Sequence, residues 1–459
     1  MIKKVIYVVL NAFFAALFIY GLYLFLMQKN DFDAQKIVQN SALKGKTFEA
    51  NVEEITLDGG NKAWLLAENS APLVALEFCF DKSGFAFDDD TTQGLAQMAA
   101  EILSYGGGNY DNTRLNDLLE ENAIELDFKV SSDAFFVSMT TPKNNIKLAF
   151  DILKDVLFLP HLKPEHLEIV RRKQLTAIDM QNEKPEKVLD KEFKKAFYGS
   201  HPLSRSSLGL KEDVEKIDIA DLKNFYQTRF VKDNLIIAVA GDVTKDEAAH
   251  LLNGLFSDLP SSSESKNLLE PDANYQFEEY NINRDMPQVL AHFVAKGVKR
   301  LDDDFYALYI ANEIFGGSGL SSRLNLIARE KEGLTYGAYT YLNDNKYAPM
   351  IEGSFATSKE NYQKMRQILL EEWQKMADFG VTQSEFEAVQ NNMLTSFNLR
   401  FMSLPDIASQ LLYMQKKHLG LDFLKKRNEY VKNTTLNQVN AAAKKYFAIK
   451  PAVLTIGNN

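Results

Sequence analysis

Two side chains in the stretch Phe315 to Tyr341 have the chemistry to stabilise a developing negative charge. They are Arg329 and Tyr336, in FGGSGLSSRLNLIAREKEGLTYGAYTY. A guanidinium beside a phenol makes a donor-rich pocket suited to an oxyanion on a peptide carbonyl. The elements that must position them can be read around the pair. Gly316, Gly317 and Gly319 open the stretch with backbone freedom. Leu320, Leu324, Ile327 and Ala328 follow at helical spacing, with Arg329 at the helix end. Gly333 breaks that helix. Leu334, Tyr336 and Ala338 then alternate as a strand, so a helix, a turn and a strand can fold the two side chains together. The same pattern also suits an ordinary helix-turn-strand with Arg329 solvated and Tyr336 in the core.

An amphipathic helix is predicted over Gln93 to Leu103. Two ligands at i and i+4 stand about 40° apart around a helix and can face one metal. His161 and His166 are five apart, about 140° around a helix, and Pro164 lies between them. Both are expected to be surface residues of a loop and a helix start. The other histidines are scattered singly. No Gly-x-Ser-x-Gly elbow is present, and the glycines at 316–319 lack the Lys-Ser/Thr of a phosphate loop. The lone cysteine, Cys79, sits in an apolar strand and is expected to be buried and inert.

A chain of 459 residues has room for two domains. Its net charge of −10 and pI near 5.3, with no basic cluster, argue against nucleic-acid binding. Lys3 and Lys4 precede the apolar run Val5 to Met27, long enough at about 1.5 Å per residue to span a bilayer core. We expect residues 1–30 to be an uncleaved membrane anchor and 31–46 a polar tether. The lysine pair favours a body outside the bacterial inner membrane, facing the periplasm. The alternatives are a cleaved signal with a soluble periplasmic body, or, given Lys29, a body facing the cytosol.

From about residue 47 the chain reads as one α+β domain written twice. Asp88-Asp89-Asp90 recurs as Asp302-Asp303-Asp304, Tyr105 as Phe315, Thr141–Asn145 as Thr357–Asn361, Pro164 as Thr382, and Leu235–Gly241 as Val453–Gly457. All the offsets lie between 210 and 218 residues. The expected domains are 47–260 and 275–459. Each is a mainly antiparallel sheet packed with helices, and 261–274 (rich in Ser, Glu, Pro and Asn) is an exposed linker.

The sequence Ser322-Arg-Leu, then Arg329-Glu, then Gly333-Leu-Thr-Tyr-Gly337 resembles the second half of an insulinase/pitrilysin-type metallopeptidase, including its bacterial processing-peptidase-like members. Gly94-Leu-Ala, Tyr198-Gly-Ser-His-Pro202 and Ala240-Gly-Asp242 match further phrases of that family. The resemblance implies a clam-shell of tandem homologous domains that binds peptides partly through a sheet edge. It also implies that Arg329 and Tyr336 are the family's Arg/Tyr pair, reaching across to a zinc site. In the family, the helix after Gly-Leu-Ala carries His-x-x-Glu-His. Here Gln97 replaces the first histidine, Ala100 the general base and Glu101 the second histidine, while the distal ligand falls near Ala177. No metal or cofactor is therefore expected in this chain. The implied function is that of a membrane-anchored, non-catalytic subunit of a zinc-dependent peptidase. It would supply Arg329 and Tyr336 to a His-x-x-Glu-His partner that bears the zinc and acts on peptides or unfolded polypeptides. The alternatives are a membrane-tethered peptide-binding scaffold with no part in cleavage, and an autonomous zinc peptidase with an unusual site.

Overall fold

Strand β3 (Leu73–Asp81, LVALEFCFD) shows why the first half folds as it does. Its alternate residues Leu76, Phe78 and Phe80 are fully buried on one face, and Ala75 and Cys79 are buried on the other. A strand buried on both sides must lie inside a sheet that is itself covered twice. In this computed structural model, which describes residues 51–262 and 267–458, that sheet has six strands. They are β1 (Val52–Thr56), β2 (Lys62–Ala67), β3, β6 (Glu125–Val130), β7 (Ala134–Pro142) and β8 (Leu235–Gly241). The order is β1-β2-β8-β3-β7-β6, antiparallel except where β2 pairs with β8. Strands β4 (Gly106–Gly107) and β5 (Tyr110–Asp111) form a separate small ladder. The predicted membrane span, the tether and residues 48–50 of the first predicted strand lie outside the described residues. Among the described residues no helix is long and apolar enough to cross a membrane.

Seven helices of the first half matter here: α1 (Leu95–Ile102), α2 (Asn112–Glu121), α3 (Ile146–Phe158), α4 (Pro164–Glu183), α5 (Pro185–Tyr198), α6 (Ile219–Arg229) and α7 (Lys245–Phe256). The sequence pattern predicts helices over Gln93–Leu103, Asn144–Phe158, Pro164 to about Met180 and Ala220–Arg229, so α2, α5 and α7 went unread. Most bury apolar faces in one core with Phe78, Phe80, Phe135 and Phe230, where the Phe80 and Phe230 rings stack at 4.2 Å.

The second half repeats the plan. Its sheet is β11-β12-β10-β13-β9, from β9 (Tyr280–Ile282), β10 (Gln288–Lys296), β11 (Thr335–Asn343), β12 (Met350–Ser358) and β13 (Ala452–Ile456). The parallel pair β13/β9 reproduces β8/β2, and among the described residues β1 has no counterpart. Its helices are α8 (Phe305–Asn312), α9 (Tyr362–Phe379), α10 (Gln383–Ser396), α11 (Leu404–Lys416), α12 (Phe423–Asn433) and α13 (Leu436–Tyr446). Their core is built on Trp373, whose ring meets those of Phe315 and Phe447 at 5.2 and 4.4 Å. Sequence reasoning did not find α11 or α12.

Ala50–Asn459 form one compact unit, and two helices explain why. Helix α5 belongs to the first half but packs on the outer face of the second sheet. Its Leu189, Phe193 and Phe197 join Val294, Leu454 and Ile456 in one cluster, and Phe193 stacks on His292 at 4.0 Å. Helix α11 belongs to the second half and packs on β3 and β8 of the first sheet. There the small residues Ala75, Cys79, Ala238 and Ala240 are buried. Gln415 donates to the Ile237 carbonyl at 2.7 Å. Lys416 reaches Asp133 at 3.2 Å and Asp81 at 3.4 Å. Burial alone would lower the Lys416 pKa, but the carboxylates of Asp133 and Asp81 outweigh it and hold it above the ordinary lysine value. Burial pushes the Cys79 thiol up to about 12, which keeps it protonated and inert. At roughly 1.5–3 kcal/mol per large side chain fully removed from water, each crossing helix contributes substantially to holding the halves together.

Candidate functional site

Helix α1 carries the positions of the zinc motif. It begins after Gly94, whose φ of +96° and close approach to Leu208 exclude a side chain. The Asp88 carboxylate accepts from the backbone N–H groups of Gly94 (3.1 Å) and Ala96 (3.2 Å) and faces Arg229 at 3.0 Å. Burial pushes the Asp88 pKa up to about 6 against the pull of Arg229 and those N–H groups. Gln97 donates to Glu101 at 3.2 Å, so the i, i+4 pair does share a face. Ala100 is buried in the core. From α4, Lys173 donates to the Tyr105 hydroxyl at 2.9 Å. That bond, with the Glu101 carboxylate behind it, raises the Lys173 pKa against the opposing effect of burial.

Ala177 lies one turn further along α4, half-buried, and Asp179 beside it is ion-paired to Lys211. The face therefore presents an amide, one carboxylate and an ammonium, which do not fit zinc. No cluster of three His, Cys, Asp or Glu able to hold a metal exists among the described residues. His161 and His166 occupy the predicted loop and helix start. They are half-buried rather than surface residues. His161 Nε2 lies 2.8 Å from the Gly108 carbonyl, and the His166 ring lies against Tyr105 at 5.0 Å.

The Arg329 and Tyr336 region is built differently from its sequence pattern. The predicted single helix is three short pieces: a 3-10 turn at Gly319–Ser321, one α turn at Arg323–Asn325 and a π turn at Leu326–Lys331. Leu324 and Ala328 are buried as expected, but Leu320 is exposed. Gly333, at φ +63°, reverses the chain, and Leu334 N–H returns to the Ala328 carbonyl at 2.8 Å.

Strand β11 then contains a bulge. Thr335 pairs with Thr357 and Ala338 with Phe355, so Tyr336 and Gly337 together oppose Ala356. The Thr335 hydroxyl pins the bulge by donating to the Ala356 carbonyl at 2.7 Å and accepting from Gly337 N–H at 3.1 Å. Simple alternation would put Leu334, Tyr336 and Ala338 on one face. The bulge instead leaves Leu334 and Ala338 buried and Tyr336 88% exposed. That excludes the reading in which Tyr336 is a core residue.

The buried Asn325, which sequence reasoning missed, ties the helical turns to this strand. Its amide donates to the carbonyls of Ala338 and Gly319, both at 2.8 Å, and its oxygen accepts from Ala338 N–H at 2.9 Å. It thereby satisfies both backbone groups of Ala338. Arg323 fixes the other side through a two-pronged pair with Glu385, at 2.5 and 2.6 Å. Arg329 is half-buried, and its guanidinium has no hydrogen bond or ion pair among the described residues. Tyr336 has none either, and no hydrogen bond joins the two. The fold thus holds an unengaged guanidinium and an unengaged phenol on either side of one tight turn.

The sequence matches known families over both halves. Residues 65–210 match the family model described as Insulinase (Peptidase family M16), and 216–393 match the one described as Peptidase M16 inactive domain. The chain belongs to peptidase family M16. A curated relative from Helicobacter pylori, named non-peptidase homolog YmxG, is 26% identical over 391 residues, 81% of this chain and 88% of its own. A probable mitochondrial-processing peptidase subunit beta from Arabidopsis thaliana is 26% identical over 330 residues, 65% of this chain and 61% of its own. The solved structure of a peptidase M16 inactive domain from Pseudomonas fluorescens aligns with TM-score 0.81 at 23% identity, covering 89% of this chain and 98% of that one. The M16 fold is therefore present in a chain whose α1 carries Gln97, Ala100 and Glu101 at the positions of the family's His-x-x-Glu-His.

Proposed function

We propose that this M16 chain is the non-catalytic subunit of a two-chain zinc peptidase, with Arg329 and Tyr336 completing a site on a partner that carries His-x-x-Glu-His. The observation that carries this reading is an asymmetry between the halves. The zinc-motif positions of α1 hold Gln97, Ala100 and Glu101, with Lys173 of α4 nearby. The β11 bulge, by contrast, holds Tyr336 88% exposed, one tight turn after an Arg329 with no ion pair among the described residues. A phenol so exposed has its hydroxyl free to donate to an oxyanion on a peptide held by a second chain, and Arg329 would orient or polarise it. The Arabidopsis relative, named as a subunit of a processing peptidase, supports the pairing.

The body would stand on the periplasmic side of the bacterial inner membrane, held by the N-terminal apolar run. It would meet secreted or membrane-released peptides there. Cleavage of the body by protease added to intact cytosolic-side-out vesicles would place it in the cytosol and remove that part of the reading.

The test is peptide cleavage by the chain purified in mild detergent with its bound companions, with and without chelator, beside the chain expressed alone. The expected result is chelator-sensitive cleavage by the native preparation only. The alternative of a binding scaffold predicts that neither preparation cleaves and that Arg329→Ala leaves peptide binding intact.

A further inference from the structure

Tyr336 stands near the start of β11. Six residues on, roughly 20 Å along the strand, the Leu342 end borders a separate cavity of about 260 Å3 within the second half. Three arginines, Arg300, Arg400 and Arg427, converge on it from widely separated parts of the chain.

Arg427, on α12, is only 6% exposed. Its guanidinium lies over the Phe397 ring at 4.3 Å and donates to the Met393 carbonyl (2.7 Å) and the Asn428 side chain (3.0 Å). Arg300 is packed against Phe305 at 4.0 Å and donates to the Tyr306 hydroxyl at 3.1 Å. Arg400, exposed at the mouth, reaches the Tyr309 hydroxyl at 3.5 Å.

Against these three charges the wall offers one carboxylate, Asp344, and it is already engaged. Lys417 holds it at 2.8 Å and the Tyr413 hydroxyl at 2.7 Å, leaving Arg300 at 4.0 Å. Glu313, which feels the Arg400 charge, has its pKa raised by burial and is bonded by Ser318. Neither Arg427 nor Arg400 has an ion pair among the described residues. An arginine does not shed its proton near neutral pH, and burying one without a counter-charge is unfavourable. Burial, with repulsion from Arg400 and Arg300, brings the Arg427 pKa down to about 10, although the phenols of Tyr309 and Tyr306 oppose this.

We propose that this cavity binds a small phosphate-type dianion, either inorganic phosphate or a compact phosphate monoester. Three guanidiniums and the hydroxyls of Tyr306 and Tyr309 supply donors from several planes, which suits tetrahedral oxygens. A monocarboxylate would balance one of the three charges. The volume falls below the roughly 300–1,000 Å3 of sites for drug-sized ligands, so the occupant is compact. The site stands independently of any role for Tyr336.

The experiment is thermal unfolding of the full chain in mild detergent, at constant ionic strength and at a pH where phosphate is dianionic. Inorganic phosphate, phenyl phosphate and acetate are the probes. Phosphate is expected to raise the midpoint saturably while acetate leaves it unmoved. A stronger effect of phenyl phosphate assigns a monoester, and an equal or weaker one assigns the free ion. Arg400→Ala, at an exposed position with little bearing on folding, weakens the apparent phosphate affinity about tenfold or more. Arg427→Met abolishes the phosphate shift and, without phosphate, leaves the midpoint unchanged or higher, because it removes an unpaired buried charge. The proposal is overturned if phosphate does no more than acetate, or if the phosphate shift survives undiminished in Arg400→Ala.

Discussion

Helix α1 in the first half and the bulge of β11 in the second half are both built to hold polar side chains at a surface, and they use them in opposite ways. On and around α1 the polar groups turn to each other: Gln97 to Glu101 on the helix, and Lys173 of α4 to Tyr105 just after it. At the bulge, the supporting residues Thr335 and Asn325 are fully engaged so that Tyr336 and Arg329 can remain unengaged. Polar groups paired with one another offer less to a ligand than unengaged ones held on a satisfied scaffold. In this M16 chain the two conditions sit in separate halves.

The sharpest way to break the contrast is Tyr336→Phe. In the native complex, it should lower kcat about 10²–10³-fold, the usual loss for one oxyanion donor. Urea unfolding should show no change beyond about 0.5 kcal/mol, since the side chain is exposed. Unchanged turnover would refute the donor role. Asn325→Leu tests the scaffold. It strands both backbone groups of Ala338 and should cost about 2–3 kcal/mol of stability, with loss of activity following from the misplaced Tyr336. Arg323→Ala removes the two-pronged pair with Glu385, and about 1–2 kcal/mol is expected from the same unfolding curves. At the small end, Gln97→Ala should change turnover not at all and stability by less than about 0.5 kcal/mol. A large activity loss there would mean that the α1 face still takes part in the chemistry.

The capping carboxylates of the two halves extend the comparison to pH. Glu385 completes the capping box of α10 with Thr382. Burial alone would raise its pKa, but bonds from Arg323 and Thr382 outweigh that and bring it down to about 2. A folded value below the ordinary 4.5 means that its contribution is present above about pH 4.5 and is lost as pH falls through 2. Asp88 is the reverse case. Burial lifts it from 3.8 to about 6, so its contribution is full below about pH 3.8 and is lost as pH rises through 6. Unfolding of the wild type, Glu385→Gln and Asp88→Asn across this range should show opposite slopes of the mutational effect.

Much of this was legible in the chain. The repeated order of strands and helices at a near-constant offset gave most strands of both sheets, though not the edge strand β9, because alternation and helical spacing report local burial directly. That Gln97 and Glu101 share a helix face followed from their i, i+4 spacing within the family's motif, but their hydrogen bond did not. The bulge did not follow, because one inserted residue reverses the parity on which alternation rests, and Gly337 was the only hint. Helices α5 and α11 went unread although their signals were present: Leu189, Phe193 and Phe197 at four-residue spacing, Ile407 and Leu411 likewise, and a proline in the first turn of each. Their partners lie in the other half, where no local pattern points. The three arginines around the cavity come together only through tertiary packing and left no local trace.

The exchange of α5 and α11 between sheets bears on how such a chain could have arisen. A single half, made alone, would leave the outer face of its sheet bare and its own crossing helix without a seat. Two identical copies would cure both defects by trading helices, which is a domain-swapped homodimer. Joining the two copies in tandem would preserve the swap within one polypeptide. It follows that cutting the chain in the 261–274 connection should leave two fragments that stay clasped through α5 and α11 and separate only on unfolding.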